Sequence, residues 1–251
     1  MQMDKNIFKI IDNNIKQLNI SIPNDKFDLY MSAIKINTSL IKIGIYYSEI
    51  KNLKQILNKI KNKQYLKTLN LSENLIEDLN PFIDFFQINN SIIKLKLDYN
   101  NISDVRPLAE ILKNNNTIEV LSLASNNIEN VDLLFKSLKY NNTLKKLNLY
   151  ENKISNINTI KELLESNKVL IKIDLSNNKI IDVNLLGQSL KNNNTLQILL
   201  LNYNNIQNIE TFINSLNFNN TLTTLDLYGN NINDKQEQLI HNYDDKIFIT
   251  V

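Results

Sequence analysis

The chain has 251 residues, of which 43% are hydrophobic and 22% are charged, a balance typical of folded proteins rather than disordered ones. The formal net charge is only +2, so the composition gives no strong attraction to nucleic acid or to an anionic membrane. Cysteine is absent, which excludes disulfides, zinc–cysteine sites and thiol catalysis. Arg106 is the only arginine, and lysine is poorly suited to the bidentate contacts that arginine makes to phosphate and guanine. We therefore expect no nucleic-acid partner.

The N-terminal segment carries charged residues throughout and has no continuous apolar run over residues 1–14. It therefore lacks the pattern of a signal peptide. No stretch of the sequence approaches the ~18 consecutive apolar residues of a transmembrane helix. We expect an intracellular, cytoplasmic protein without a membrane partner, and the absence of cysteine fits a reducing compartment.

A period of 26 residues organises most of the chain. The first leucine or isoleucine of each unit, called position one here, recurs without insertion or deletion at Leu40, Leu66, Ile92, Ile118, Leu144, Leu170, Leu196 and Leu222. A fixed period of this length predicts a stacked-repeat architecture, which grows along one axis and presents an extended surface. We therefore expect eight units over residues 40–247, the last of them degenerating, within a single solenoid domain.

The segment before the first unit is expected to cap the stack. Residues 1–39 hold a degenerate repeat whose strand half, residues 15–20, is shifted by one residue. Its helical half keeps the spacing of the later units at Phe27, Tyr30, Met31 and Ile34. Terminal repeats are expected to be atypical because one of their faces meets water.

Each unit has the spacing of a strand followed by that of a helix. In the unit 144–169, Leu147 and Leu149 are two residues apart, which is the period of a strand, so both point to one face. The spacing then changes to three and four, which is one face of a helix, at Ile157, Ile160 and Leu164. Each unit is therefore predicted to contain a strand, a turn, a short helix and a return loop.

Two polar columns accompany the apolar ones. Position nine is asparagine in every unit except the first, which has Ser48: Asn74, Asn100, Asn126, Asn152, Asn178, Asn204 and Asn230. Because a tight turn inside a stack leaves backbone groups that need partners, we interpret this column as structural rather than as a ladder of ligands.

Position thirteen is always asparagine or aspartate, immediately before the helical pattern: Asn52, Asp78, Asp104, Asn130, Asn156, Asp182, Asn208 and Asp234. These residues are predicted to be helix N-caps. Pro81 and Pro107 fall in the first helical turn, where a missing N–H is tolerated.

The pattern Leu-x-x-Leu-x-Leu-x-x-Asn-x-Ile, as in residues 66–76, resembles the leucine-rich repeat. The helical second half and the Asn-Asn-Thr-Leu that opens later units, as in residues 141–144, are similar to the ribonuclease-inhibitor-like subfamily. The resemblance covers residues 40–232 without a break. It implies an α/β leucine-rich-repeat solenoid, or horseshoe, with a parallel β-sheet on the concave face and short helices on the convex face. It also implies that each position-nine asparagine bonds the backbone of its own turn and of the next.

The far end of the stack is expected to degenerate. Lys235 and Gln238 replace the apolar helix positions of the last unit, and residues 248–251 are predicted to add a C-terminal capping strand. As at the other end, the reason is that one face of a terminal repeat meets water.

Positions three, five, seven and eight of each unit are expected to line the concave face. With strands ~4.8 Å apart, eight of them make a surface roughly 35–40 Å long. Lysines lie on one side of this surface, with acids and tyrosines on the other, which suggests a partner of mixed charge. Tyrosine is enriched at binding hot spots, although these tyrosines could instead pack along neighbouring strands and bind nothing. The predicted partner-binding residues are Tyr46, Tyr47, Lys94, Lys96, Asp98, Tyr99, Lys146, Tyr150, Glu151, Lys172, Asp174, Tyr203, Asp226 and Tyr228.

No set of residues supports catalysis, a metal site or a cofactor. His241 is the only histidine, and it lacks the ligand spacing of a metal site with Glu237, Asp244 and Asp245. With three glycines in the whole chain, no phosphate-binding loop of the Walker or dinucleotide type is present. Carboxylates on an open sheet do not form the desolvated pair that glycosidase chemistry needs. We therefore expect a protein that is not an enzyme.

The favoured function is a monomeric protein–protein interaction module, an adaptor or scaffold that grips a protein on its concave face. One alternative is a regulator of a small GTPase, since some GTPase-activating proteins resemble the same subfamily of repeats, although the chain lacks the acidic tail that they often carry. Another is a substrate-recruiting subunit of a larger assembly, which would normally bring an additional recognition segment.

Overall fold

The computed structural model of the chain describes residues 5–241 and 247–250. Over these residues short strands alternate with short helices. The strands are β1 Gln17–Ile20, β2 Lys42–Ile45, β3 Thr68–Asn70, β4 Lys94–Lys96, β5 Val120–Ser122, β6 Lys146–Asn148, β7 Lys172–Asp174, β8 Ile198–Leu200, β9 Thr224–Asp226 and β10 Phe248–Thr250. The helices are α1 Lys5–Ile11, α2 Phe27–Ile36, α3 Leu53–Ile60, α4 Pro81–Ile88, α5 Arg106–Leu112, α6 Asp132–Leu138, α7 Ile160–Ser166, α8 Asn184–Leu190, α9 Glu210–Leu216 and α10 Asp234–His241. A 3₁₀ turn, Asn24–Lys26, precedes α2.

The described strands form one parallel sheet in which β1 to β10 follow one another in sequence order. From β2 to β9 each residue pairs with the residue 26 positions later, so that Leu121 lies opposite Leu147. At the N-terminal edge Leu18 lies opposite Ile43, one residue out of that register. At the other edge Phe248 of β10 lies opposite Thr224, while Val251 is outside the described residues. The predicted parallel sheet with alternating helices is confirmed.

The core lies between the sheet and the helices. Positions four and six are fully buried in all eight units; Leu121 and Leu123, for example, are both 0% exposed. On the helix side the largest fully buried side chains are Phe82, Phe135 and Phe212, from α4, α6 and α9. Burying one such side chain contributes about 2 kcal/mol. Because each unit packs only on its neighbours, the sheet face opposite these columns is left free to vary.

The helices α4 to α9 begin later than the sequence predicted, which corrects the interpretation of position thirteen. Asn52 does precede α3 directly, and its side chain accepts the N–H of Lys54. In the unit that holds α5, Asp104 likewise accepts the N–H of Arg106, but Val105 is the residue that flanks the helix. Val105 is 3% exposed, so packing of this apolar residue into the core delays the helix.

Before α4 to α9, position thirteen therefore closes an Asx turn, because its side chain accepts the N–H of the residue two positions later. It is the N-cap only at Asn52. The flanking residue is instead Asn80, Val131, Thr159, Val183 or Ile209 at α4 and at α6 to α9, and Asp234 is itself the first residue of α10. Ile157, which the spacing assigned to a helix, is buried in the loop before α7. The prediction for Pro81 and Pro107 is confirmed, since both lie in a first helical turn.

The asparagines of position nine hold consecutive turns together. Asn126 Nδ2 donates to the carbonyls of Leu123 and Ala124 in its own turn and of Leu97 in the preceding unit. Its Oδ1 accepts the N–H of Ile102, also in the preceding unit. The structural interpretation of this column is confirmed, but the neighbour that the side chain bonds is the preceding turn, not the next one.

The same pattern recurs with small variations from Asn74 to Asn230. Ser48, the one residue of the column that is not asparagine, makes some of the hydrogen bonds of this pattern. Its hydroxyl donates to the carbonyl of Tyr46 and accepts the N–H of Ile22, so the shorter side chain still joins its turn to the cap.

A second asparagine column lies three residues before position one. Asn141 Nδ2 donates to the carbonyls of Leu112 and Asn115 in the preceding unit, and its Oδ1 accepts the N–H groups of Thr143 and Leu144. The other members are Asn37, Asn89, Asn115, Asn167, Asn193 and Asn219. The column fastens the return loops as the first column fastens the turns.

Lys63 interrupts this second column. Its ammonium group donates to the carbonyls of Lys35 and Asn37, so it takes over the link to the preceding unit. Burial lowers the pKa of Lys63, because a partly desolvated ammonium is less stable in its charged form. Lys63 therefore makes the link at the cost of placing a charge where every other unit has a neutral amide.

We expect Lys63→Asn to stabilise the protein by about 1 kcal/mol, because an amide makes the same links without a desolvated charge. The pKa of Lys63 is lowered in the folded state. At pH values between that pKa and the ordinary lysine pKa, the unfolded chain therefore binds more protons than the folded chain. Wild-type stability should therefore rise with pH through this interval, and the variant should lack the rise. Urea denaturation at about pH 8 and about pH 10.5 measures both effects. Lys51→Asn, an exposed site, is the control, and a less stable Lys63→Asn protein would contradict the argument.

Candidate functional site

The strand part of the concave face carries four lysines close together. Lys94 and Lys146 are exposed, and Lys96 and Lys172 are half-buried. Lys146 and Lys172 lie opposite each other on β6 and β7, where like charges on neighbouring strands repel. Within residues 5–241 and 247–250, none of the four has an ion-pair partner. Their ammonium groups are therefore available to a partner.

At the N-terminal end of this face a tyrosine is joined to side chains on both neighbouring strands. Tyr46 Oη donates to Asn19 Oδ1 over 3.3 Å and accepts from Asn70 Nδ2 over 3.0 Å. Burial raises the pKa of Tyr46; the Asn70 bond lowers this pKa by a smaller amount, and the nearby Glu73 carboxylate raises it slightly further. The hydroxyl therefore stays protonated at neutral pH, and its hydrogen-bonding capacity is used within the sheet.

Asp98 is likewise satisfied within the sheet. Its carboxylate accepts from Ser122 Oγ, from the N–H of Ala124 at 2.9 Å and, more weakly, from Ser72 Oγ at 3.5 Å. Asn148 Nδ2 extends the network by donating to Ser122 Oγ over 3.1 Å. Of the predicted binding residues, Tyr46 and Asp98 thus connect strands to one another, and their polar atoms are engaged.

Position eight has a backbone conformation that the sequence did not reveal. In every unit its φ is positive: 46° at Tyr47, 53° at Tyr99, 54° at Tyr203 and 70° at Gly229. The left-handed region costs an L-residue roughly 1–2 kcal/mol, and only glycine enters it freely. The three tyrosines are nevertheless 71%, 57% and 53% exposed, so little burial offsets that cost.

The C-terminal end of the face is an aromatic pair. The rings of Tyr203 and Tyr228 meet edge to face, with centroids 5.4 Å apart. Gly229 makes room for them, because a Cβ at that residue would lie 2.6 Å from Tyr203 Cδ1. Tyr228 is 53% exposed, so the pair still presents ring surface and hydroxyls to solvent.

The remaining predicted residues are partly engaged by hydrogen bonds within their own turn or to a neighbouring unit. Asp174 accepts the N–H of Ser176, and Asp226 accepts the N–H of Tyr228 and the hydroxyl of Thr250. Glu151 Oε2 accepts from Ser125 Oγ. Tyr150 is half-buried beside the engaged Asn148, whose Oδ1 accepts its N–H.

Two residues outside the predicted set lie on the same face. Ile198 and Leu200, at positions three and five of β8, are half-buried, and Leu200 lies between Asp174 and Asp226 on the adjacent strands. The signal that could have found them is an apolar residue where most other units have a polar one. They give this face a small apolar centre between the lysines and the aromatic pair.

A second concavity lies on the helix side. It is a groove of about 740 Å³ between α3 and α4 whose lining includes Lys54, Lys61, Asp78 and Asp84 together with the apolar Phe85 and Ile88. It lies on the helix side and is therefore separate from the concave face.

Neither a metal centre nor a membrane span is found in the part of the chain that the structure describes. No group of three or more histidine, aspartate or glutamate side chains there is placed to hold a metal ion. No helix over those residues is long and apolar enough to cross a bilayer. The weak cluster considered around His241 lies outside the description, since the His241 side chain and residues 242–246 are not covered.

A family profile described as leucine-rich repeat matches residues 114–134 and 218–235. No curated protein sequence matches the chain. Among solved structures, an internalin from Listeria monocytogenes superposes with a TM-score of 0.65 and 19% identity, covering 95% of this chain and 70% of that one. A leucine-rich-repeat protein of Leptospira interrogans gives a TM-score of 0.64 and 22% identity, covering 88% of this chain. This chain spans only 57% of the Leptospira protein.

The matched profile segments include parts of four units, and both structural likenesses extend over most of the chain. Together with the 26-residue register and the alternation of strands and helices, they show that the chain folds as a leucine-rich-repeat solenoid.

Proposed function

We propose that the protein is a non-enzymatic interaction module that binds a protein partner on its concave face. The observation that carries the proposal is the set of strained, exposed tyrosines at position eight, Tyr47, Tyr99 and Tyr203. Asparagine enters the left-handed region at lower cost, and Asn177 occupies the same position in another unit. Tyrosines that weaken the fold and bury little surface are best explained by contacts made outside the chain.

Further support comes from the composition of the face. Rigid aromatic rings, unpaired lysines and a small apolar centre are the components of a protein-binding surface. We also propose that the protein is monomeric and cytoplasmic and that it is a member of the ribonuclease-inhibitor-like subfamily. It is consistent with the cysteine-free composition and the helix found in each unit. The leucine-rich-repeat fold, which generally mediates protein–protein contacts, supports the same proposal.

The proposal is tested with the double variant Tyr47→Asn/Tyr99→Asn. Loss of two tyrosine hot spots should weaken partner capture by at least about 30-fold, while the fold should become more stable by about 1 kcal/mol because asparagine relieves the positive-φ strain. Capture is measured by crosslinking mass spectrometry in a native extract, and stability by thermal denaturation.

The matched control is Tyr65→Asn/Tyr140→Asn. These tyrosines are 71% and 73% exposed but lie in return loops, away from the concave face. The control should capture the same proteins as the wild type. Equal capture by the concave-face variant and the wild type, with folding intact, would show that this face is not the binding site.

A further inference from the structure

The four concave-face lysines surround a low, uncharged floor. Val120 and Ser122 of β5 point to the same face as the lysines and are the small residues between β4 and β6. Lys94 and Lys96 stand on one side of this floor and Lys146 on the other. With neighbouring strands ~4.8 Å apart, the two sides are separated by roughly 10 Å, which is enough width for one extended polypeptide.

Within the described residues, the carboxylates near these lysines form no ion pair with them. Asp98 is held by Ser122 and by the N–H of Ala124, and Asp174 is held by the N–H of Ser176. The ion pair between Lys145 and Glu119 at 3.1 Å involves position two, not the lysines of positions three and five. Repulsion between Lys146 and Lys172 is therefore left for an external anion to relieve.

We infer that this patch, Lys94, Lys96, Lys146 and Lys172 around the β5 floor, binds an acidic extended segment of the protein partner. The inference rests on the proposed function and specifies which part of the partner lies over β4 to β7. A segment of about four to six residues lying along β5 spans the patch at ~3.4 Å per residue. Its aspartate or glutamate side chains can reach lysines on both sides of the floor.

The charge of the patch favours a polypeptide over a nucleic acid. Four lysines beside two carboxylates, Asp98 and Asp174, leave an excess of only two positive charges. Nucleic-acid binding commonly engages about six to ten phosphates, and no arginine lies on the patch, since Arg106 begins α5. The two floor residues, Val120 and Ser122, have no aromatic ring on which a base could stack.

The test uses a fluorescein-labelled peptide of about eight residues with glutamate and serine alternating. Its binding to the wild-type protein is followed by fluorescence anisotropy at low ionic strength. The expected results are that a peptide with glutamine in place of glutamate binds at least about tenfold more weakly, and that Lys94→Gln/Lys146→Gln weakens binding of the glutamate peptide by about tenfold. Lys113→Gln/Lys136→Gln is the matched control, because both lysines are exposed on the helix side and the change of net charge is identical.

The control should bind the glutamate peptide within about twofold of the wild type. Equal weakening by both double variants would mean unspecific attraction and would overturn the inference. Tighter binding of a single-stranded oligonucleotide of matched charge would overturn it in favour of a nucleic acid. Failure of the wild type to distinguish the two peptides also rejects the acidic segment. Whether the concave face binds a partner is tested independently by the capture experiment with the Tyr47→Asn/Tyr99→Asn variant.

Discussion

Replacing Asn126 by leucine is expected to destabilise the protein by about 3 kcal/mol. The asparagine side chain donates to three backbone carbonyls and accepts one backbone N–H, and it is 8% exposed. Leucine has a similar size but leaves these buried groups without partners, and water has no access to replace them. The measurement is the free energy of unfolding from urea denaturation.

The control is the same chemical change one residue later. Asn127 is half-buried, and its side chain makes no hydrogen bond within the described residues. Asn127→Leu should therefore cost less than about 1 kcal/mol. If Asn126→Leu and Asn127→Leu unfold at the same urea concentration, the bonds of Asn126 do not contribute as the structure indicates.

Gly187→Ala is expected to destabilise the protein by about 2 kcal/mol, although alanine is the better helix former. Gly187 lies in α8, and a Cβ there would lie 2.7 Å from Cα of Phe212 and 2.9 Å from its Cδ2. A backbone atom does not move aside as a flexible side chain does, so α8 and α9 would have to separate. Thermal denaturation should show a lower midpoint for the variant.

Loss of stability in Gly187→Ala indicates that close packing dominates, whereas a gain indicates that helix propensity dominates. Ala109 occupies the equivalent repeat position in α5, where a Cβ is accommodated. Ala109→Gly should lose the usual propensity difference, about 1 kcal/mol or less. A Gly187→Ala protein more stable than the wild type would mean that α8 and α9 adjust without strain.

Periodicity alone predicted the strands, the helices and the core columns, because period 2 and period 3.6 place side chains on fixed faces of any strand or helix. The asparagines of position nine were predictable for a related reason: a turn repeated at one spacing has the same unpaired backbone groups in every copy. The sequence was less reliable where two local interactions compete. At position thirteen, Asp104 closes an Asx turn while Val105 packs into the core, so the helix starts later than the capping pattern predicted.

The positions that form the binding face could be predicted from the sequence. Which of their polar groups remain unbonded and can contact a partner could not. Spacing placed Tyr46, Asp98 and Lys146 on the same surface. It did not show that Tyr46 and Asp98 are bonded to neighbouring strands, whereas Lys146 has no described partner. These contacts join residues about 24 to 27 positions apart, and whether two such side chains meet depends on their rotamers and on the exact register.

The repeat, the identity of the core and the surface that varies could all be inferred before folding was considered, because each follows from the spacing of residue types along one chain. The tertiary structure alone decided which tyrosines carry positive φ, which carboxylates are already satisfied, and that Lys63 replaces an asparagine as the link between units. Those properties arise from contacts between one unit and the next, and such contacts exist only after the units have stacked.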